Sequence, residues 1–129
     1  MITVKKIMHP GVFSLPHNTT IREASKIMKE KKIGSLYIKN DNKVVGVVTE
    51  TDIVRKAVAE KRDLDSSIME DIMSSPIYTI DANKSVSDAN EMMDRYKVRH
   101  LAVTEGGEIV GVISVRDLLH PIYMDGEGW

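Results

Sequence analysis

Residues 46–52 read Gly-Val-Val-Thr-Glu-Thr-Asp, and residues 111–117 read Gly-Val-Ile-Ser-Val-Arg-Asp. Sliding the 129-residue chain by 65 positions lays the first stretch on the second, and the same register holds without a gap from Ile7 to Val54. A register kept over so many residues indicates an internal duplication. Because a unit this small has too little core to fold alone, we expect the two copies to pack on each other as one globule.

The hydrophobic pattern changes its period in the same order within each copy. Thr20 and Ser85 each stand three residues before an acidic residue, which is the pattern of a helix N-terminal cap followed by an amphipathic helix. Each helix is followed by a two-stranded hairpin and then by a second helix, and a brief strand precedes each first helix. The predicted strands are residues 12–15, 35–39 and 43–49 in the first copy and 77–80, 100–104 and 108–114 in the second. The chain therefore reads β-α-β-β-α twice, which predicts the α+β class.

The same patterns predict the domain boundaries. The first repeat spans residues 1–59, a charged linker spans 60–67, the second repeat spans 68–124, and a polar tail spans 125–129. The composition, 42% hydrophobic and 29% charged, is typical of an ordinary globular domain.

Composition and motifs exclude several classes of function. A net charge of −1 offers no general attraction to nucleic acid, and the absence of cysteine excludes disulfides and thiolate metal sites. The four histidines are scattered without metal-ligand spacing, and no nucleophile or phosphate-loop motif is present, so we expect neither a metal nor an enzyme. The N-terminus lacks a signal-peptide core, and no apolar run is long enough to span a bilayer, so we expect a cytoplasmic protein without a membrane partner.

The repeated Gly-x-x-[Thr/Ser]-x-x-Asp motif has a chemistry suited to nucleosides. A carboxylate in the first turn of a helix can accept both hydroxyls of a ribose, while a nearby hydroxyl and the free helix amides can face a phosphate. The alternative is structural: Asp52 and Asp117 would only favour the positive end of a helix, which is worth roughly 0.3–1 kcal/mol.

Two further motifs, Thr-Ile-Arg-Glu-Ala at 20–24 and Lys-Lys-Ile-Gly-Ser-Leu at 31–36, complete a family pattern. Together with the duplicated motif they resemble the cystathionine-β-synthase (CBS) domain, present as a tandem pair from about Val4 to Leu119. The resemblance implies two small sheets meeting around a pseudo-twofold axis, with two equivalent clefts that take adenosine-containing ligands. It also implies a disc-shaped homodimer formed through the helices.

The resemblance also implies which residues form each cleft, since each takes its ribose motif from one repeat and much of its base-binding wall from the other. The cleft with the second-repeat motif would use Ser114, Arg116, Asp117, Arg99, Val112, Met8, Phe13, Ile33 and Gly34. The cleft with the first-repeat motif would use Thr49, Thr51, Asp52, Val47, Met73, Tyr78, Val98 and Arg99.

The two clefts are not equally equipped for a charged ligand. Arg116 and Arg99 could bracket a phosphate beside Asp117, whereas the first repeat has Thr51 and Gly34 at the matching positions. We therefore expect the Arg116 cleft to bind a phosphorylated adenosine more tightly. The alternative is that both arginines are solvated surface cations.

These observations predict a non-enzymatic sensor that binds AMP, ADP, ATP or S-adenosylmethionine and reports its level to an unidentified protein partner. The alternative function is a structural dimerisation module whose ligand clefts are vestigial.

Overall fold

The computed structural model describes the backbone of residues 1–123 and the side chains of residues 1–119. The predicted polar tail lies outside the described residues. The helices are α1 (Val4–Ile7), α2 (Ile21–Lys31), α3 (Glu50–Asp52), α4 (Met69–Ile72), α5 (Val86–Tyr96) and α6 (Val115–Tyr123), with a π-helix over Ile53–Val58 that continues α3. The strands are β1 (His9–Pro10), β2 (Ser14–Pro16), β3 (Ser35–Asn40), β4 (Lys43–Thr49), β5 (Thr79–Asp81), β6 (His100–Glu105) and β7 (Glu108–Ser114).

Contacts divide the chain into two units, and each unit contains the first residues of the other repeat. We call Phe13–Ile77 the Phe13 unit, and Met1–Val12 together with the chain from Tyr78 onward the Tyr78 unit. The first twelve residues thus pack with the second repeat, while helix α4 packs with the first. None of the helices in residues 1–123 is long and apolar enough to cross a bilayer.

The Phe13 unit is built on a three-stranded sheet in the order β2-β3-β4. Strands β3 and β4 form an antiparallel hairpin whose two turn residues, Asp41 and Asn42, have positive φ angles. Short polar residues tolerate this left-handed conformation in tight hairpin turns. Helix α2 begins where Thr20 caps the backbone N–H of Glu23, and the buried core cluster comprises Ile21, Ala24, Met28, Leu36, Ile38, Val48, Ala57, Met69 and Ile72.

The Tyr78 unit repeats this plan with one extra strand, in the order β1-β7-β6-β5. Its hairpin turns at Gly106 and Gly107, again with two positive φ angles, and Ser85 caps α5 through the N–H of Asp88. The buried core cluster comprises Val4, Ile80, Ala82, Ala89, Met93, Leu101, Val103 and Ile113. Strand β1 pairs antiparallel with β7, so the N-terminal segment completes the sheet of the second repeat.

The structure confirms the predicted α+β class and refines the element bounds. Strands β4 and β7 coincide with the predicted 43–49 and 108–114. The leading strands lie later than predicted, at Ser14–Pro16 and Thr79–Asp81, because their register is set by parallel pairing with β3 and β6. The short helices α1 and α4 and strand β1 were not predicted from the sequence, since none is long enough to show a hydrophobic period.

Candidate functional site

Each unit carries one aspartate motif at the point where its last hairpin strand runs into a helix. In the Phe13 unit, the Thr49 hydroxyl lies 3.2 Å from the backbone N–H of Asp52 and accepts from it. In return, Oδ2 of Asp52 accepts from the Thr49 backbone N–H at 3.0 Å and from the Thr49 hydroxyl at 3.2 Å. This reciprocal pair is a capping box, which holds the carboxylate at the helix N-terminus in one orientation.

In the Tyr78 unit, Ser114 and Asp117 stand at the equivalent positions, and Asp117 makes the same two carboxylate contacts. Oδ2 of Asp117 accepts from the Ser114 backbone N–H at 2.7 Å and from its hydroxyl at 3.1 Å. Asp117 is 7% exposed and is the single buried charged residue within residues 1–119. Both aspartates therefore do cap their helices, but the capping uses only Oδ2 of each carboxylate.

The second carboxylate oxygen, Oδ1, meets a different donor in each unit. Nζ of Lys56 lies 3.1 Å from Oδ1 of Asp52 and also reaches the Ser74 hydroxyl at 3.3 Å. In the Tyr78 unit, Nε2 of His9 lies 2.7 Å from Oδ1 of Asp117. Oδ1 of each aspartate is thus held by a side chain that is partly or largely exposed. A ribose hydroxyl could replace such a donor without disturbing the cap.

The motif glycines allow the chain segments that enter from the start of each repeat to lie against the strand. A Cβ added to Gly111 would stand 2.6 Å from both the His9 carbonyl oxygen and the Met8 sulfur. A Cβ added to Gly46 would stand 2.6 Å from the Met73 sulfur. The close approach at both glycines is therefore made by the protein's own chain.

Each predicted set of site residues is divided between the two units. The Tyr78 unit contains Met8, Arg99, Val112, Ser114, Arg116 and Asp117. The Phe13 unit contains Val47, Thr49, Thr51, Asp52 and Met73. The remaining members of the Asp117 set belong to the Phe13 unit; they are Phe13, Ile33 and Gly34. The remaining members of the Asp52 set belong to the Tyr78 unit; they are Tyr78, Val98 and Arg99.

The two aromatic residues of the predicted base-binding walls have different neighbours. Phe13 has Nζ of Lys31 at 4.9 Å from its ring centre, a cation–π contact. Tyr78 stacks on Tyr96 with ring centres 4.4 Å apart and planes 16° apart. Under the 65-residue register, Phe13 is equivalent to Tyr78 and Lys31 is equivalent to Tyr96. The same aromatic position therefore contacts a lysine in the Phe13 unit and a tyrosine ring in the Tyr78 unit.

His100, Arg99 and Asp117 lie in the same unit. Burial lowers the pKa of His100, the nearby Arg99 lowers it further, and the negative charge of Asp117 opposes both. Arg99 and Arg116 are exposed side chains. Residues 1–119 hold no group of three histidine or acidic side chains arranged for a metal ion.

Sequence reasoning missed the two donors on Oδ1. Lys56 stands four residues after Asp52 on the same helix, so this spacing was a readable signal of an ion pair. His9 lies 108 residues before Asp117, and only the pairing of β1 with β7 brings it to the carboxylate.

Comparison with known proteins agrees with this duplicated plan. The family model for the CBS domain matches residues 4–59 and 69–123. Over 117 residues the chain is 38% identical to an uncharacterized 17.7 kDa protein of Acidianus ambivalens, covering 89% of this chain and 70% of that protein.

Two solved structures resemble the chain over most of its length. The CBS domain pair of protein MJ0100, in complex with 5′-methylthioadenosine and S-adenosyl-L-methionine, superimposes with a TM-score of 0.81 at 25% identity, covering 95% of this chain and 97% of that one. The hexameric CBS-CP12 protein from bloom-forming cyanobacteria gives a TM-score of 0.84 at 30% identity, covering 92% and 70%. The chain belongs to the CBS domain family, with one domain in each half of its sequence.

Proposed function

We propose that this CBS pair is a non-enzymatic regulatory module that binds an adenosine-containing ligand, namely AMP, ADP, ATP or S-adenosylmethionine, at its aspartate motifs. The observation that carries the proposal is the orientation of the two carboxylates. Each has Oδ2 fixed by a hydroxyl residue and Oδ1 held by an exposed or half-exposed donor, His9 or Lys56. A preoriented carboxylate with one exchangeable partner is suited to the hydroxyls of a ribose.

Two further observations support an adenosine ligand. The MJ0100 pair, which matches over nearly the whole chain, holds two adenosine compounds. The sulfur atoms of Met8 and Met73 lie beside the motif glycines in their respective units, where they offer adaptable apolar surface to a base. The proposal places the protein in the cytoplasm, where these ligands are made and consumed.

The Asp117 motif is the better candidate for a phosphorylated ligand. Arg116 and Arg99 lie in the same unit as Asp117, while Thr51 and Gly34 stand at the equivalent positions of the first repeat. A guanidinium group carries a positive charge and can donate two parallel hydrogen bonds to one phosphate, whereas threonine and glycine offer neither. We infer that the Asp117 site binds a nucleotide more tightly and that the Asp52 site takes a less charged ligand or binds weakly.

Regulation would follow from thermodynamic linkage, in which ligand binding shifts the protein toward the conformation or assembly that a partner protein recognises. A ligand shifts such an equilibrium only by the difference between its affinities for the two states. The proposal includes a homodimer, because apolar residues are exposed on the helices that follow each motif. These are Val54, Val58, Val115 and Leu119, exposed by 37–60%.

A thermal-denaturation panel tests the ligand proposal. Purified protein, shown free of bound nucleotide, is melted with about 1 mM of each adenosine ligand and with guanosine nucleotides as controls. A ligand at about 100 times its Kd adds roughly 2.7 kcal/mol, which raises the melting temperature of a domain this size by several degrees.

Two alanine variants separate binding from capping. Asp117→Ala should lose the ligand-induced rise. Asp88→Ala should keep it, because Asp88 caps α5 through Ser85 in the same capping geometry but stands outside either motif. No rise with any adenosine ligand would overturn the sensor and favour the alternative, an interaction module. The exposed apolar helix residues are the observation that supports that second candidate.

A further inference from the structure

A cavity of about 450 Å³ opens beside the turn of the β3–β4 hairpin in the Phe13 unit. The end of β2, the residues that follow it and the hairpin turn form its wall, on which the polar residues include His17, Asn18, Lys39, Asn40, Asp41 and Asn42. Asp52 lies beyond the other end of β4, and a strand of seven residues spans about 20 Å. The cavity is therefore separate from the aspartate motif, and its volume is within the range of small-molecule sites.

The short helices α1 and α4 lie at equivalent places in their units. Lys5 of α1 donates its backbone N–H to the Ala82 carbonyl oxygen at 3.0 Å. Glu70 of α4, the equivalent of Lys5 under the 65-residue register, donates its backbone N–H to the His17 carbonyl oxygen at 3.1 Å. His17 is in turn the equivalent of Ala82, so the backbone is placed alike in both units and any difference between them comes from the side chains.

The side chains at these places make different contacts. In the Tyr78 unit, Nζ of Lys5 lies 3.0 Å from Oε2 of Glu105, so an ion pair joins the helix to the hairpin. In the Phe13 unit, Oε1 of Glu70 lies 2.7 Å from Nδ1 of His17 instead. The residue equivalent to Glu105 is Asn40, whose side chain makes no hydrogen bond with residues 1–119. The hairpin of the Phe13 unit therefore keeps unpaired polar groups on the cavity wall.

Two opposite charges on this wall are also unpaired within the described part of the chain. Lys39 and Asp41 make no side-chain hydrogen bond or ion pair with each other or with any other residue of 1–119. His17, the third titratable residue of the wall, already has Glu70 as its partner. One ammonium and one carboxylate are thus available together, and their charges cancel, so the wall has no general preference for an anion or a cation.

We propose that this cavity binds a small zwitterion, namely a free amino acid. The carboxylate of the amino acid would accept from the Lys39 ammonium, and its ammonium would donate to the Asp41 carboxylate, both as charge-assisted hydrogen bonds. The asparagine amides on the wall carry donors and an acceptor for a polar side chain of the amino acid. The site lies wholly within the Phe13 unit and takes a class of ligand different from the adenosine compounds.

Isothermal titration calorimetry of the whole chain with free amino acids tests the proposal. Each common amino acid is titrated in millimolar amounts, with glucose as the neutral polar control. For every amino acid that binds, the methyl ester lacks the carboxylate and the corresponding α-hydroxy acid lacks the ammonium. Because the wall offers one partner for each charge, removing either charge from the amino acid should raise the Kd at least about tenfold.

Substitutions on the wall identify the binding residues. Lys39→Gln and Asp41→Asn should each raise the Kd at least about tenfold, because each removes one charge partner. Asparagine tolerates the positive φ angle of 51° at position 41, so the turn should be kept. Lys43→Gln and Glu108→Gln are the matched controls, since both are exposed hairpin residues outside the cavity wall, and they should leave the Kd unchanged.

A further variant rebuilds the ion pair of the Tyr78 unit in the Phe13 unit. It combines His17→Ala, Asn40→Glu and Glu70→Lys, which are the residue types found at the equivalent positions 82, 105 and 5. The new pair should join α4 to the hairpin and abolish amino-acid binding. The melting temperature should change little, because one exposed pair replaces another.

Three results would overturn the inference. No binding of any amino acid would mean that the cavity takes no zwitterion. Equal affinity for the methyl ester, the hydroxy acid or glucose would assign the cavity to another class of ligand. Undiminished binding in the Lys39 and Asp41 variants, or in the combined variant, would place the amino acid elsewhere on the protein. Asp117→Ala should keep amino-acid binding, so the adenosine proposal is tested separately.

Discussion

The imidazole Nε2 of His9 lies 2.7 Å from Oδ1 of Asp117, although 108 residues separate them in the chain. In the other unit, Lys56 holds the corresponding oxygen of Asp52. The residue equivalent to His9 is Ser74, whose hydroxyl contacts Lys56, and the residue equivalent to Lys56 is Pro121. In both repeats a side-chain donor therefore contacts Oδ1 of the motif aspartate, but the two donors come from residues that are not equivalent under the register.

Removing His9 should raise the affinity of the Asp117 site for an adenosine ligand. His9 is 75% exposed on its side chain and occupies the oxygen that a ribose hydroxyl would use, so the ligand has to displace it. His9→Ala should lower the Kd measured by isothermal titration calorimetry, while the free energy of unfolding falls by about 1–3 kcal/mol, because Asp117 is buried and its Oδ1 loses a hydrogen-bond partner.

Lys56→Ala is the matched variant for the Asp52 site and should leave binding at the Asp117 site unchanged. A higher Kd in His9→Ala would contradict the displacement argument, because it would mean that the imidazole itself binds the ligand.

Alanine at the motif glycines should destabilise the protein to different degrees. At Gly111 the new methyl group would meet a backbone oxygen, that of His9, at 2.6 Å, whereas at Gly46 the nearest backbone oxygen, that of Ser74, is at 3.0 Å. Backbone yields less than a flexible side chain, so Gly111→Ala should cost more, within the roughly 1–3 kcal/mol typical of overpacking. Urea denaturation measures both.

Gly34→Ala is the control for this series. Its nearest obstacle is the end of the Glu50 side chain, which can turn away. A loss of stability at Gly34 equal to that at Gly111 would argue against a backbone obstacle as the cause.

Acidification should destabilise the fold through His100. Burial lowers the pKa of His100 below the ordinary 6.5, so the unfolded chain binds a proton more readily than the folded one. Stability from this residue is therefore present above pH 6.5 and is lost as the pH falls through that value. Melting temperatures between pH 7.5 and 5.5 should fall more for the wild type than for His100→Gln. An equal fall in both proteins would remove His100 as the source.

Charge placed on the exposed apolar residues should disrupt self-association without unfolding the units. Val54 and Leu119 are 60% and 41% exposed, so an acidic residue there stays in water in the monomer but would be buried in an interface. Val54→Asp and Leu119→Asp should each raise the dimer dissociation constant at least about tenfold by ultracentrifugation. Unchanged association in both variants would place the interface elsewhere.

Local patterns were sufficient to predict most of the secondary structure. The hairpin strands β4 and β7, the helix caps at Thr20 and Ser85, and the two turns follow from hydrophobic period and turn chemistry over a few residues. The 65-residue register identified the paired motifs around Asp52 and Asp117, because a duplication preserves the order of residue types along the chain and can be found without the structure.

By itself, then, the sequence determined the duplicated α+β plan, the family and the two aspartate motifs. Only the tertiary structure decided that the first twelve residues complete the sheet of the second repeat and that α4 joins the first. It also decided which donor meets each carboxylate. The physical reason is that these contacts join segments far apart in the chain, whose pairing depends on sheet edges and buried side chains that no local pattern records.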